Sequence, residues 1–154
     1  MEVAIQDRMP HNHCWGCGTL NPRGLRIKSY VRGDEAICTF HPSPDHMAGP
    51  TTVLYGGILA AVIDCHTVCT AIADVYRAHG QVIGDAPHRW CVTASLKIDY
   101  LAPTPIDRPV ELRARVREAR GRKRFVTCSV LSDGKETVRA EVIAVEVSAG
   151  WGGG

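Results

Sequence analysis

Apolar and polar positions alternate along much of this chain, and one long stretch departs from the alternation. Leu25 to Tyr30 and Glu35 to Phe40 read as two strands, with Arg32-Gly33-Asp34 as the hairpin signal between them. His41 to Thr52 carries Pro42, Pro44, Gly49 and Pro50 and reads as a loop. From about Gly56 to about Ala78 the chain is long and apolar enough for a central helix. Ile58, Leu59, Ala61, Val62 and Ala71 leave that helix little polar surface. A second loop at Gly80 to Pro87 leads to Cys91 to Leu101, where alternation resumes. Pro103, Pro105 and Pro109 punctuate the way to Val110 to Glu118. In that strand Leu112, Ala114 and Val116 fall on one face and Arg113, Arg115 and Arg117 on the other. A turn at Gly121 leads to Arg124 to Leu131, and Ser132-Asp133-Gly134-Lys135 turns the chain into Glu136 to Val147.

This order of elements is α+β, and it predicts one apolar helix wrapped by a curved antiparallel sheet. A single sheet leaves part of so apolar a helix uncovered, which implies a partner subunit. Pro10, Gly16, Gly18, Pro22 and Gly24 break any periodicity in residues 1–24, so an irregular segment packs on the domain. With 154 residues and neither repeat nor linker, one domain over residues 25–148 is expected, followed by a flexible tail over 149–154.

Composition narrows the function. The chain is 45% hydrophobic and 22% charged with a net charge of +2, a balance too mild for nucleic acid as the main partner. The apolar stretches read as shorter than the roughly 20 residues that cross a bilayer, and Met-Glu-Val-Ala-Ile-Gln-Asp-Arg lacks a signal-peptide apolar core. A cytoplasmic protein without membrane association is the expectation. The seven cysteines, mostly in apolar contexts (Cys38, Cys65, Cys69, Cys91, Cys128), fit buried thiols better than a disulfide framework.

The candidate chemistry centres on the helix start. Gly56 and Gly57 expose backbone N–H groups where the helix dipole favours negative charge. Asp64, about two turns on, is a carboxylate in an apolar run and needs a partner or a task there. His66 follows two residues later, where the helical turn aims it away from Asp64. Thr67, three residues later, falls closer to the Asp64 face and could position water. In His-Asn-His-Cys-Trp-Gly-Cys, Cys14 and Cys17 with His11 and His13 could hold zinc, but no second ligand pair at the usual spacing follows. His41 and His46 could complete such a site only through folding. The favoured reading of the segment is therefore a Gly-rich turn with no metal.

Taken together, Tyr55-Gly56-Gly57 with Asp64, Cys14-Trp15-Gly16-Cys17-Gly18, Asn21-Pro22-Arg23-Gly24-Leu25 and Val92-Thr93-Ala94-Ser95-Leu96 through Tyr100-Leu101-Ala102-Pro103-Thr104-Pro105 carry a family likeness. In their order, they resemble the hot-dog-fold acyl-CoA thioesterases of the PaaI-like type over Cys14 to Val147. The resemblance implies a hot-dog fold and a homodimer or homotetramer that hydrolyses acyl-CoA at the subunit interface. It makes the Gly56 N–H the donor that polarises the thioester carbonyl and Asp64 the base or nucleophile. Tyr55, Gly57, Thr67 and His66 become substrate contacts, although Tyr55 stands where the family commonly has histidine. Arg120, Arg122, Lys123 and Arg124 at a hairpin tip become candidates for the CoA phosphates. No cofactor is needed for this chemistry. The rival readings are a hydratase or dehydratase on the same fold and a non-catalytic acyl- or metal-binding protein.

Overall fold

The computed structural model describes residues 1–148 and 150–153. Ser29–Arg32 (β1) and Glu35–Phe40 (β2) pair antiparallel across the Gly33-Asp34 turn. Gly33 has φ +61° there, which glycine adopts without a Cβ clash. Gly56–Ala78 forms the 23-residue helix α1. Trp90–Tyr100 (β3), Val110–Arg120 (β4), Lys123–Ser132 (β5) and Lys135–Val147 (β6) follow. All pairings are antiparallel, and the six-stranded sheet is ordered β1-β2-β4-β5-β6-β3. The single long helix lies against this sheet, the α+β arrangement expected of a hot-dog fold. Of the expected tail, Ala149 and Gly154 lie outside the described residues, and Trp151–Gly153 makes a short 3₁₀ turn.

The register stacks inward-facing side chains into rows that cross the sheet. Cys38, Leu112, Val130 and Val138 form one row, and Ala36, Ala114, Cys128 and Ala140 form the next. Every one of these side chains is buried. The second row is built of small residues, which lets a helix approach the sheet closely. Val62, Ile63, Ile72 and Val75 of α1 are fully enclosed in the same core. Burying such side chains stabilises the fold by about 1.5–3 kcal/mol each.

Two expectations need correction. Alternation places the first strand at Leu25 to Tyr30, but pairing begins at Ser29 and runs to Arg32. The Leu25 and Ile27 N–H groups instead donate to the carbonyls of Trp15 (2.8 Å) and Gly16 (3.2 Å), and Arg26 takes φ +53°. That backbone serves the N-terminal segment rather than the sheet. The expectation of no bilayer-length apolar stretch also fails as stated. By length and composition α1 could cross a membrane, with mean hydropathy 1.7 over its best window. In the fold 61% of that window is buried, so its apolarity is spent on the core.

His66 shows how α1 is locked to the first hairpin. Its ring is fully buried, with Nε2 3.1 Å from the Ala36 carbonyl and Nδ1 2.8 Å from Ser29 Oγ. A carbonyl can only accept, so Nε2 carries the hydrogen and Nδ1 accepts from the Ser29 hydroxyl. Gln6 completes the chain: its Nε2 donates to Ser29 Oγ (2.9 Å) and its Oε1 accepts from the Ser29 N–H (2.8 Å). Every member of this buried network is satisfied, a condition under which polar groups specify a core rather than weaken it. The expectation that His66 contacts substrate does not fit this position, because neither ring nitrogen is free and no ring surface is exposed.

Burial pushes the His66 ring down to about 4, against a weaker opposing effect of the Ala36 carbonyl. The unfolded chain takes up a proton as pH falls through about 6.5, while the folded chain resists until about 4. Stability from this group is thus full above the unfolded value and is lost as pH falls across that window, by roughly 3 kcal/mol in total. Urea midpoints of the wild-type protein should fall more steeply over this window than those of His66→Gln. Parallel acid slopes would contradict the assignment.

Candidate active site

The chain is tied down just before α1 begins. The Leu54 N–H donates to the Thr104 carbonyl and the Tyr55 N–H to the His46 carbonyl, both at 2.8 Å. Tyr55 then serves as N-cap in extended conformation (φ −61°, ψ 129°), with no side-chain cap. Its carbonyl accepts from Ile58 (3.1 Å) and Leu59 (3.2 Å). Among the described residues, the N–H groups of Gly56 and Gly57 meet no protein acceptor. Two free donors therefore sit at the positive end of a 23-residue helix dipole.

Tyr100, at the end of β3, closes over this point. Its hydroxyl donates to the Gly56 carbonyl at 2.7 Å. Burial pushes the phenol's pKa upward, and the neighbouring Tyr55 acts in the same direction, so it remains a donor. A Cβ on Gly56 would stand 3.2 Å from the Tyr100 ring, and one on Gly57 would stand 2.4 Å from the ring of Tyr55. Tyr55 itself is 54% exposed and lies over Gly57.

Asp64 is half-buried on α1, and its Oδ1 accepts a short hydrogen bond from the hydroxyl of Thr93 on β3. Among the described residues, Oδ2 has no protein donor. Gly56 and Asp64 are eight positions apart, which the helical rise converts to roughly 12 Å along the axis. An aspartate side chain does not bridge that distance. One small group that touches both a Gly56 N–H and an Asp64 carboxylate directly must take them from two copies of the chain.

The structure sends several expected site residues elsewhere. Thr67 is fully buried and its hydroxyl donates back to the carbonyls of Ile63 (2.8 Å) and Asp64 (3.1 Å), so it presents no surface for positioning water. His66 faces β1 and β2, away from Asp64. His46 is held by the Ser43 N–H (3.0 Å) and stacks on Phe40. His11 and His13 are exposed and do not join Cys14 and Cys17, whose sulfurs gather instead with Cys65 of α1. Thr93 and Tyr100 are the residues that sequence reasoning passes over. Each is one polar position in an alternating strand, and only the β3 register shows which helix residue it faces. A cavity of 590 Å³ opens near the other end of α1, beside Arg8, Ala73, Arg77 and Arg115, and includes neither Gly56 nor Asp64.

The arginine-rich hairpin tip is likewise divided by the fold. Arg124 is 5% exposed and donates through Nε to Asp74 on α1 at 2.7 Å, with Nη1 on the carbonyls of Gly121 and Lys123. Arg120 pairs with Glu118 at 2.7 Å and lies over the Phe125 ring. Of the four, Arg122 and Lys123 are exposed and have no ionic partner among the described residues. The expected four-residue phosphate cluster therefore reduces to two, since Arg124 neutralises the half-buried Asp74 carboxylate and Arg120 a neighbouring one.

Comparison with known proteins adds a second line of observation. Residues 51–139 match the profile of the thioesterase superfamily. The acyl-coenzyme A thioesterase THEM4 of Xenopus laevis is 30% identical over 71% of this chain and 43% of its own length. THEM4 of Rattus norvegicus is 26% identical over 75% of this chain and 44% of its own. The chain thus spans about half the length of the curated relatives it matches. A solved thioesterase superfamily protein from Shewanella loihica PV-4 is 34% identical with TM-score 0.69, over 90% of this chain and 96% of that one. A thioesterase from Haemophilus influenzae, 15% identical with TM-score 0.65 over 80% of each chain, shares the fold.

Arg124→Met should destabilise the protein by about 1.5–3 kcal/mol, because the half-buried Asp74 loses one of its two cationic partners and keeps only the exposed Arg77. Lys123→Ala should change stability by less than ~0.5 kcal/mol. Equal shifts in the two urea midpoints would contradict this division of the tip.

Proposed function

We propose that this chain, which belongs to the thioesterase superfamily, hydrolyses acyl-CoA or a related thioester at a site completed by a second copy of itself. The observation that carries the reading is the pairing of two acceptor-free N–H groups at Gly56 and Gly57 with an Asp64 carboxylate braced by Thr93. The first supplies a donor for negative charge that develops on a carbonyl oxygen, an effect worth about 3 kcal/mol in a transition state. The second supplies a base or nucleophile held in one orientation.

In this mechanism the thioester oxygen accepts a hydrogen bond from the Gly56 N–H. Asp64 of the facing copy removes a proton from water as the water oxygen bonds to the carbonyl carbon, or its carboxylate attacks that carbon directly. Collapse of the tetrahedral species breaks the C–S bond. In the first route the thiolate takes the proton from Asp64; in the second it takes one from solvent and leaves an acyl–Asp64 anhydride that water then hydrolyses. Tyr100 holds the Gly56 carbonyl, which shares its peptide plane with the Gly57 N–H and so fixes the direction of that second donor. Gly57 and Tyr55 border the incoming acyl group, and Arg122 and Lys123 remain the candidates for CoA phosphates.

Support for a homodimer, or a tetramer built from it, comes from β3. This 11-residue strand is the sheet edge next to β6, and it leaves Leu96 (38%) and Tyr100 (51%) exposed. An unpaired edge of that length with apolar side chains calls for a partner strand. The fold and motif order favour the PaaI-like branch, and the chemistry requires no cofactor. The hydratase reading needs a histidine beside an acid, and His66 is bonded away from Asp64 inside the core.

Asp64→Asn should leave a folded oligomer and lower thiol release from the best acyl-CoA in a chain-length panel by roughly 10²–10⁴-fold. Near-full activity in that variant would remove Asp64 from the mechanism.

A further inference from the structure

Four of the seven cysteines gather where the N-terminal segment crosses α1. The Sγ atoms of Cys14, Cys17 and Cys65 all lie within 4.8 Å of one another, and those of Cys14 and Cys65 are 3.6 Å apart. Cys69, one helical turn beyond Cys65, places its sulfur 4.0 Å from that of Cys17. Cys38, Cys91 and Cys128 behave differently. They are scattered through strands, and burial pushes each thiol up to about 12, as expected of small inert core residues.

We propose that Cys14, Cys17 and Cys65, with Cys69 as the fourth sulfur, bind one zinc ion that staples the N-terminal segment to α1. Zinc–sulfur bonds of about 2.3 Å in a tetrahedron set the sulfurs roughly 3.8 Å apart. Cys14 and Cys65 stand at 3.6 Å and Cys17 and Cys69 at 4.0 Å, while Cys69 lies outside the group of three within 4.8 Å and would swing inward to close the tetrahedron. A Cys-x₂-Cys pair on a turn and a second pair one helical turn apart are two-point donors of the kind closed zinc sites use. An all-sulfur donor set favours zinc over harder ions such as magnesium or calcium.

The local backbone is shaped around the sulfurs. A Cβ on Gly16 would fall 2.2 Å from Cys65 Sγ, so glycine clears the space the thiol occupies. A Cβ on Gly18 would fall 2.5 Å from the Cys14 nitrogen, and the Gly18 N–H closes the turn on the Cys14 carbonyl at 2.7 Å. Asn12, which is buried, accepts from the Cys14 N–H (3.0 Å) and donates to Cys17 Sγ (3.6 Å). It thereby orients one ligand and would share the charge of another, the part that outer hydrogen bonds play around metals. On binding, the thiols give up their protons to solvent as the metal–sulfur bonds form. Cys14 is exposed and offers the ion a way in.

The ion would give residues 1–24 a fixed seat. Beyond the turn at Ile5–Arg8 that segment has no regular structure, yet it delivers Gln6 to Ser29 and the Trp15 carbonyl to Leu25. It would also fix the rotation of α1 at Cys65, the residue next to Asp64.

Full-length protein made without an affinity tag, under reducing conditions and with zinc supplied, should contain one zinc per chain by mass spectrometry. Cobalt(II) in its place should show thiolate charge-transfer absorption and the intense visible bands of a tetrahedral site. Cys14→Ser, at an exposed position that should not disturb folding, should weaken zinc binding by more than the roughly 10–100-fold lost with an outer-shell partner. Cys65→Ser should do the same, Cys91→Ser should not, and chelation should lower the wild-type melting temperature. Zinc below stoichiometry, cobalt spectra without sulfur charge transfer, zinc affinity unchanged in Cys14→Ser, or a Cys14–Cys65 disulfide in the reduced preparation would each overturn the site.

Discussion

The constraint on which this structure depends is the burial of α1. Its side chains are apolar enough to require cover along most of their length, and the sheet wraps one side with rows of Ala, Cys, Val and Leu set by the strand register. Polar residues on the helix are tolerated only because each is matched. His66 is held by Ser29 and Ala36, Thr67 and Thr70 by carbonyls of their own helix, and Asp74 by Arg124. A buried polar group without a partner would cost about 1–3 kcal/mol, a large part of a domain's net stability. Asp64 stands apart from that set, because its only donor among the described residues is on the open edge of the sheet.

That difference separates the structural half of the helix from the chemical half. At its start the N–H groups of Gly56 and Gly57 meet no acceptor among the described residues, and β3 beside it carries exposed Leu96 and Tyr100. On the proposed function, the one-sided sheet and a site shared between two copies are consequences of the same geometry. A second copy docked along β3 would cover the remaining helix surface and bring another Asp64 toward the first Gly56, across the ~12 Å that one helix cannot close.

Most of the fold was legible because it rests on period and turn chemistry. The helix from Gly56 to Ala78, the hairpins at Gly33-Asp34 and Asp133-Gly134, and the inward face of Leu112 and Ala114 follow from spacing alone. Alternation misplaces the first strand because Leu25 to Tyr30 fits a sheet by its pattern, while the Leu25 and Ile27 N–H groups are engaged by the Trp15-Gly16 turn of the N-terminal segment. Gly56 and Asp64 were legible as a pair by their place on one helix. Thr93 and Tyr100 were not, since cross-element contacts depend on how the helix lies on the sheet. The arginine tip misled for a related reason: four adjacent cations look alike in sequence, and only the fold reveals that Arg124 turns inward to Asp74. Cys65 and Cys69 did carry a signal in their helical spacing, one that becomes meaningful once Cys14 and Cys17 are seen beside them.

The most direct test of where this protein does its chemistry is backbone amide NMR of the full chain titrated with a non-hydrolysable acyl-CoA thioether. The account predicts that the largest shifts fall on the Gly56 and Gly57 amides, with Asp64 and Thr93 next. Shifts confined to the cavity beside Arg8, Ala73 and Arg115, with the two glycine amides unmoved, would contradict it.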